Sequence, residues 1–337
     1  MHMADALLSP AVGGVMSAVS AGMMAYSVVK IKKEDLDEKK IPVMGVMGAF
    51  VFAAQMINFT IPATGSSGHI GGGILLAAML GEFPAFLTIS AVLIIQALFF
   101  ADGGLLALGC NIFNMGVITC FLAYPLIFKP ILRKGINAKR LSVASMAAVV
   151  AGLQLGAFSV VLETLASGIT ELPFGTFVGL MQPIHLAIGI GEGIVTAAVL
   201  IFVHKMRPEI MENTQRRTGL GRTSIRGVIV SLVVITALVG GVLSNFASGD
   251  PDGLEWSMEG TAGTTELNAQ GQIYDTAASV QEQTAFMPDY DYKDASGAPI
   301  SGTTVAGLVG AGLTFALAGA AGLAIFLAKK RSKKAAL

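Results

Sequence analysis

Apolar stretches long enough to cross, or nearly cross, a bilayer recur at about 9–29, 43–60, 71–81, 84–101, 110–128, 141–166, 177–203, 226–246 and 304–328. Most reach the roughly 20 residues that a helix needs to span the hydrocarbon layer. The third does not: as a helix, 71–81 extends only roughly 16 Å. Its neighbours must shield it, because backbone exposed to lipid finds no water to bond. Glu82-Phe83-Pro84 is expected to turn the chain from this short helix into the next span. Hydrophobic residues make up 53% of the chain and charged ones 13%, against about 25% charged in a soluble domain. A soluble globular protein, a disordered chain and a nucleic-acid binder are thereby excluded. The expected fold is all-α, a polytopic transmembrane bundle of nine helices with a short third one.

The basic residues set a direction. Lys30, Lys32, Lys33, Lys39 and Lys40 form one cluster, and Lys129, Arg133, Lys134, Lys139 and Arg140 a second. Lys205, Arg207, Arg216, Arg217, Arg222 and Arg226 form a third, and Lys329, Lys330, Arg331, Lys333 and Lys334 a fourth, together 21 of the 22 lysines and arginines. With nine spans, counted from the sequence, all four clusters fall on one side, which the positive-inside rule makes the cytoplasm. The N-terminus is then outside and the C-terminus inside, in a multi-pass protein of the cell membrane. No positively charged segment precedes the first span, so no cleavable signal peptide is expected. Met1-His2 is expected to remain as a free amine and an imidazole at the outer face.

Residues 1–205 read as one hydrophobic block. Residues 206–225, with Pro208, Gly219 and Gly221, read as a cytoplasmic linker. Residues 226–337 form a second unit of two spans around a long outer loop, 247–303. That loop carries ten acidic residues against the single Lys293. Its charge either draws divalent cations to the outer mouth or is simply solvated. Cys110 and Cys120 lie roughly 15 Å apart along one helix, too far to bridge, and read as small buried hydrophobes.

The chain has four histidines, His2, His69, His185 and His204. The topology puts His2 and His69 on the same outer side. His69 sits within a Gly-, Pro-, Ser- and Thr-rich run, 58–73, able to fold tightly against another segment. A free terminal amine, the amide nitrogen of His2 and its imidazole close consecutive chelate rings around one metal ion. They supply three nitrogens in a plane once the amide proton is lost. A second imidazole, from His69, would complete four, and such a plane suits Ni(II), Cu(II) or low-spin Co(II) rather than Zn(II) or Mg(II). By itself His69 also reads as a lone loop histidine.

The same residues resemble a known family. Met1-His2-Met3-Ala4-Asp5-Ala6-Leu7-Leu8-Ser9-Pro10 is similar to the N-terminus of the M-type substrate-binding components of nickel and cobalt energy-coupling-factor (ECF) transporters, NikM and CbiM. Thr64-Gly65-Ser66-Ser67-Gly68-His69 resembles their second motif, and the run from His185 to Glu192-Gly193 their third. Asp250-Pro251-Asp252-Gly253-Leu254-Glu255-Trp256 resembles the PDGLE segment of the small N-type partner subunit. The resemblance covers most of the chain and implies an M–N fusion in which Met1, His2 and His69 ligate the metal. Met3-Ala4 stands where the family often has Ile-Pro, which leaves the ligands intact but alters how the N-terminus enters the pocket.

His185 and Glu192 are seven residues apart on one helix and share a face. They serve either as a support or relay around the metal, or as a packing pair. His204 sits beside Lys205 at the cytoplasmic edge and reads as interfacial.

The sequence contains no G-x-x-x-x-G-K-[ST], H-E-x-x-H or Ser-His-Asp pattern, so it reads as neither the ATPase nor an enzyme. The expected function is the substrate-specific component of an ECF-type ABC importer, taking Ni2+ or Co2+ from the outer face as transported substrate, with no organic cofactor. The resemblance implies a transmembrane coupling subunit of the T/Q type and ATP-binding subunits of the A/O type as partners. The alternatives are a cobalt-selective version supplying corrinoid synthesis and a non-transporting metal-sensing or structural membrane subunit.

Overall fold

The computed structural model describes residues 2–33, 38–220, 224–294 and 298–335. In chain order these form α1 (Pro10–Lys33), α2 (Lys40–Gln55), β1 (Phe59–Ile61), β2 (Ser66–Gly68), α3 (Gly73–Leu80), α4 (Glu82–Phe99), α5 (Leu108–Leu132), α6 (Ala138–Ser167) and α7 (Phe174–Met206). Then follow α8 (Pro208–Arg216), α9 (Arg226–Gly241), α10 (Gly253–Ala262), α11 (Gln272–Thr284) and α12 (Gly302–Ala335). Among the described residues, six helices (α1, α4, α5, α6, α7 and α12) are long and apolar enough to cross a membrane. The apolar helices α2 and α9 are shorter, and α3 has eight residues.

Burial sorts these helices. In α4, 83% of the apolar window lies inside the bundle, against 17% in α1. Large apolar side chains on the outward faces, among them Val15, Leu155, Leu162, Ile194, Val230 and Phe315, are exposed, as expected where the surrounding solvent is hydrocarbon. The hairpin of α6 and α7 packs beside α5, while α9 and α12 of the second unit pack on α2. Small residues also let α9 and α12 approach each other closely. A Cβ on Gly307 would meet the carbonyl oxygen of Gly240 at 2.1 Å, so α9 and α12 cross backbone against backbone.

Three local features depart from the sequence reading. The antiparallel pair β1–β2 interrupts the helical chain, closed by a turn with Ala63 and Gly65 at positive φ. The turn from α3 into α4 is made by Gly81 at φ 88, and Glu82, Phe83 and Pro84 already belong to α4. The segment expected to be a linker contains α8, which buries Ile210 and Met211 and donates from Thr214 to the Met79 carbonyl at 3.0 Å, beneath α3. Arg217 and Lys129 both pair with Glu82 there. Residues 221–223 of that segment, with Arg222, lie outside the described residues.

Candidate metal-binding site

The amino-terminal segment is threaded into the bundle. Met3 is fully buried. Its N–H donates to Asn111 Oδ1 at 2.8 Å, and Asn111 Nδ2 donates back to its carbonyl at 3.2 Å. Gly104 N–H reaches the same carbonyl at 2.9 Å, and Asp5 Oδ1 accepts from Ala107 N–H at 3.0 Å. This double clamp fixes the register of His2, and it accounts for Met3 at this position: an unbranched thioether fills the gap beside Asn114, with Nδ2 and Sδ 3.8 Å apart.

His69 arrives from the other side. It follows β2 and precedes a glycine run whose amides are held by α7: Gly72 N–H donates to Glu192 Oε1 at 2.9 Å. Gln55 donates to the Gly71 carbonyl at 2.9 Å and receives a bond from Gln96 at 2.8 Å. A Cβ on Gly68 would stand 2.5 Å from Ile188, so only glycine lets β2 lie this close to α7. The outcome is a direct contact: the His2 and His69 rings stack with centroids 5.2 Å apart and planes inclined by 13°. Of the sequence-derived ligands, Met1 lies outside the described residues.

The second unit closes the site. Ser67 N–H donates to the Pro251 carbonyl at 2.8 Å, and Ser67 pairs with Asp252 as a parallel bridge. Asp252 caps α10 reciprocally with Glu255: Asp252 Oδ1 accepts from Leu254 and Glu255, and Glu255 Oε2 accepts from Asp252 N–H at 2.9 Å. The run 251–255 is therefore a helix start of the capping-box type. Gly253 is required next to it, because a Cβ there would lie 2.7 Å from Ile188 and 3.1 Å from the His185 ring. Trp256 Nε1 donates to the Thr64 carbonyl at 2.9 Å.

His2 Nδ1 faces Asp102 Oδ1 at 3.1 Å, while its Nε2 is buried without a partner. A chelate ring formed with the amide of His2 would close through Nδ1, the nitrogen beside Asp102. Burial pulls the His2 pKa down to about 3, and burial together with neighbouring positive charge pulls His69 down to about 4. Both rings are thus neutral near pH 7, the form that binds a metal. His69 Nδ1 is turned to its neighbour, the Ile70 carbonyl, at 3.0 Å.

His185 and Glu192 each bond elsewhere: His185 Nδ1 to the Met181 carbonyl at 2.8 Å, and Glu192 to the Gly72 amide. His185 shares a small cavity with His69 and Asp252. Among the described residues, no three His, Cys, Asp or Glu side chains converge to hold a metal. Sequence reasoning missed Asn111, Asp102 and the docking of Asp252. Only the last had a readable signal, the D-x-x-E spacing of a capping box.

The family pattern described as cobalt uptake substrate-specific transmembrane region, CbiM, matches residues 2–210. The chain belongs to this family. The PDGLE domain matches residues 226–327, so an M-type unit is fused to an N-type unit. A chain of Archaeoglobus fulgidus named as a fused nickel transport protein, NikMN, is 28% identical over 323 residues, spanning 94% of this chain and 96% of its own. The cobalt transport protein CbiM of Sorangium cellulosum is 29% identical over 220 residues, 64% of this chain and 96% of its own. A crystal structure of a truncated transition metal transporter is 30% identical, with a TM-score of 0.54, over 61% of this chain and 99% of that one. The chain is an integral membrane protein of the nickel and cobalt transport components.

Proposed function

We propose that this chain is the substrate-specific component of an ECF-type importer of the cytoplasmic membrane, taking up Ni2+ or Co2+. The cation binds at the outer face to the Met1 amine, the His2 amide and imidazole nitrogens and the His69 imidazole. The stacking of His2 on His69 carries this reading, because it brings the imidazoles of two distant segments to one point. The clamp on Met3 adds support, since it fixes the backbone directly following His2, whose amide and imidazole this reading uses. In this reading nine segments cross or enter the membrane, with the N-terminus outside, and the basic asymmetry supports that direction. Residues 1–205 bind the metal, 206–225 connect the units on the cytoplasmic side, and 226–337 cover the site. Work comes from ATP-binding subunits through a transmembrane coupling subunit, since this chain carries no phosphate-binding loop.

The test is metal analysis of protein beginning at its unextended Met1, exposed to Ni2+ and Co2+ in competition. One yellow, diamagnetic Ni(II) per chain is expected. His69→Ala should weaken binding by at least a hundredfold while the circular dichroism stays unchanged. Equal affinity in that variant would mean the site lies elsewhere.

A further inference from the structure

Beside His2 lies a cavity of about 440 Å3, partly open to solvent, whose wall comes from both units. Asp5 and Asp102 of the first unit line it, and so do Asp252, Glu255, Glu266, Asp275 and Asp289 of the second. No lysine or arginine is among its lining residues. The acids are graded by depth: Glu255, Glu266, Asp275 and Asp289 are exposed, whereas Asp5, Asp102 and Asp252 are half-buried, Asp102 in contact with His2. His2 lines the same cavity; its side chain is 7% exposed, and its buried Nε2 has no hydrogen-bond partner.

Taking this site as the metal site proposed above, we infer that the cavity is an antechamber for the hydrated divalent cation. It gathers the aqua ion by charge and oxygen contacts and passes it to the nitrogens at His2. Size permits this: six waters at about 30 Å3 each take about 180 Å3, well within the volume. Charge favours it, because a concave wall bearing one sign of charge focuses the field and raises capture rates by about 10- to 1,000-fold. The strain among the acids points the same way. Burial, with repulsion from Asp252, holds the Glu255 carboxyl above its ordinary range, and burial with Asp102 and Glu266 does so for Asp289. A divalent ion relieves that repulsion. The absence of a converging three-residue carboxylate or imidazole cage among the described residues suits a transit station, which must release its ion inward. Asp102 stands at the exchange point, since its carboxylate accepts from His2 Nδ1, the nitrogen that the cation would take over once its proton is lost.

The alternative, that the acidic loop acts only through its overall charge, is separable because not every acid lines the cavity. Glu259 on α10 and Glu282 on α11 are equally exposed and outside it. The experiment is stopped-flow capture of Ni2+ by the full chain with unextended Met1, across a series of salt concentrations, with release followed by chelator challenge. The double variant Glu266→Gln/Asp275→Asn should capture nickel about tenfold more slowly at low salt. Its rate should meet that of the parent at high salt, with release unchanged. The charge-matched control Glu259→Gln/Glu282→Gln should stay within twofold of the parent. Equal slowing of both pairs, or of neither, overturns the antechamber. A parent chain that never develops the planar nickel band instead overturns the binding site itself, so the two failures are distinguishable.

Discussion

Tyr290 donates its phenolic proton to Asp102 Oδ2, and the other oxygen of that carboxylate lies 3.1 Å from His2 Nδ1. A residue of the second unit is thereby two contacts from the His2 imidazole. The same stretch docks through its backbone: Met287 N–H donates to the Phe99 carbonyl at 3.3 Å and Asp289 N–H to that of Phe100 at 2.9 Å. Tyr290 also stacks on Phe100, with centroids 5.1 Å apart.

Tyr290→Phe keeps the stacking and removes one hydrogen bond to a charged acceptor, worth about 1.5–3 kcal/mol. Amide exchange at Met287 and Asp289 should accelerate accordingly. Nickel affinity should fall by less than tenfold, because Tyr290 touches Asp102 and not the imidazoles. A hundredfold loss would assign Tyr290 a direct place in the site.

Glu192 offers a test of support at a distance. Its carboxylate accepts the Gly72 amide in the buried turn that follows His69. Glu192→Ala strands that N–H, at a cost of about 1–3 kcal/mol, and should loosen His69 and weaken nickel binding by about tenfold or more. Glu192→Gln retains an acceptor oxygen in the same place and should recover most of the affinity, measured by calorimetric titration. If Gln behaves like Ala, the charge of Glu192, and not its acceptor role, is what matters.

Much of this fold was legible from the order of apolar segments, because length and hydropathy alone decide what can cross a bilayer. The short α3 was legible for the same reason. What could not be read was how the loops fold back between helices. Nothing in the sequence announces that Asn111 clamps Met3 or that Ser67 pairs with Asp252, since both are long-range contacts of ordinary polar residues. The helical start at Asp252 was legible in principle through Glu255 three positions on, but within an acidic loop those two carboxylates read simply as charge. His2 and His69 were legible as candidates from metal chemistry, whereas their contact was a matter for the fold.

Burial of two neutral imidazoles makes stability depend on pH in a definite direction. In the unfolded chain a histidine takes up its proton near pH 6.5. In the folded chain His2 does so near 3, and His69 is likewise held low by burial. As pH falls below about 6.5 the unfolded state binds protons that the folded state refuses, so stability declines between that point and the folded values. The melting temperature, in the absence of added metal, should fall from pH 7 to pH 4. The slope should be shallower in His69→Gln, where one of the refusing groups is gone. An unchanged slope in that variant would mean that His69 is not held neutral.

The amino terminus gives the sharpest test of how the nitrogens are arranged. Because Met3 is buried and bonded on both sides by Asn111, a residue added before Met1 cannot shift the register of His2. The two imidazoles stay where they are, and only the terminal amine moves away. An ordinary two-histidine site would tolerate the addition, whereas a chelate built from amine, amide and imidazole would lose a donor and the ring that stabilises the deprotonated amide. A single added glycine, or acetylation of Met1, should therefore abolish the yellow planar band and weaken nickel binding by at least a thousandfold. A tag following Leu337, at the opposite end of the chain, should leave both unchanged. Melting temperature measured without metal should be the same for the extended and native chains, which separates loss of a ligand from loss of fold. An extended protein that still held one diamagnetic nickel per chain would falsify the chelate. A paramagnetic, octahedral nickel at full affinity would count against the planar arrangement while leaving His2 and His69 as ligands.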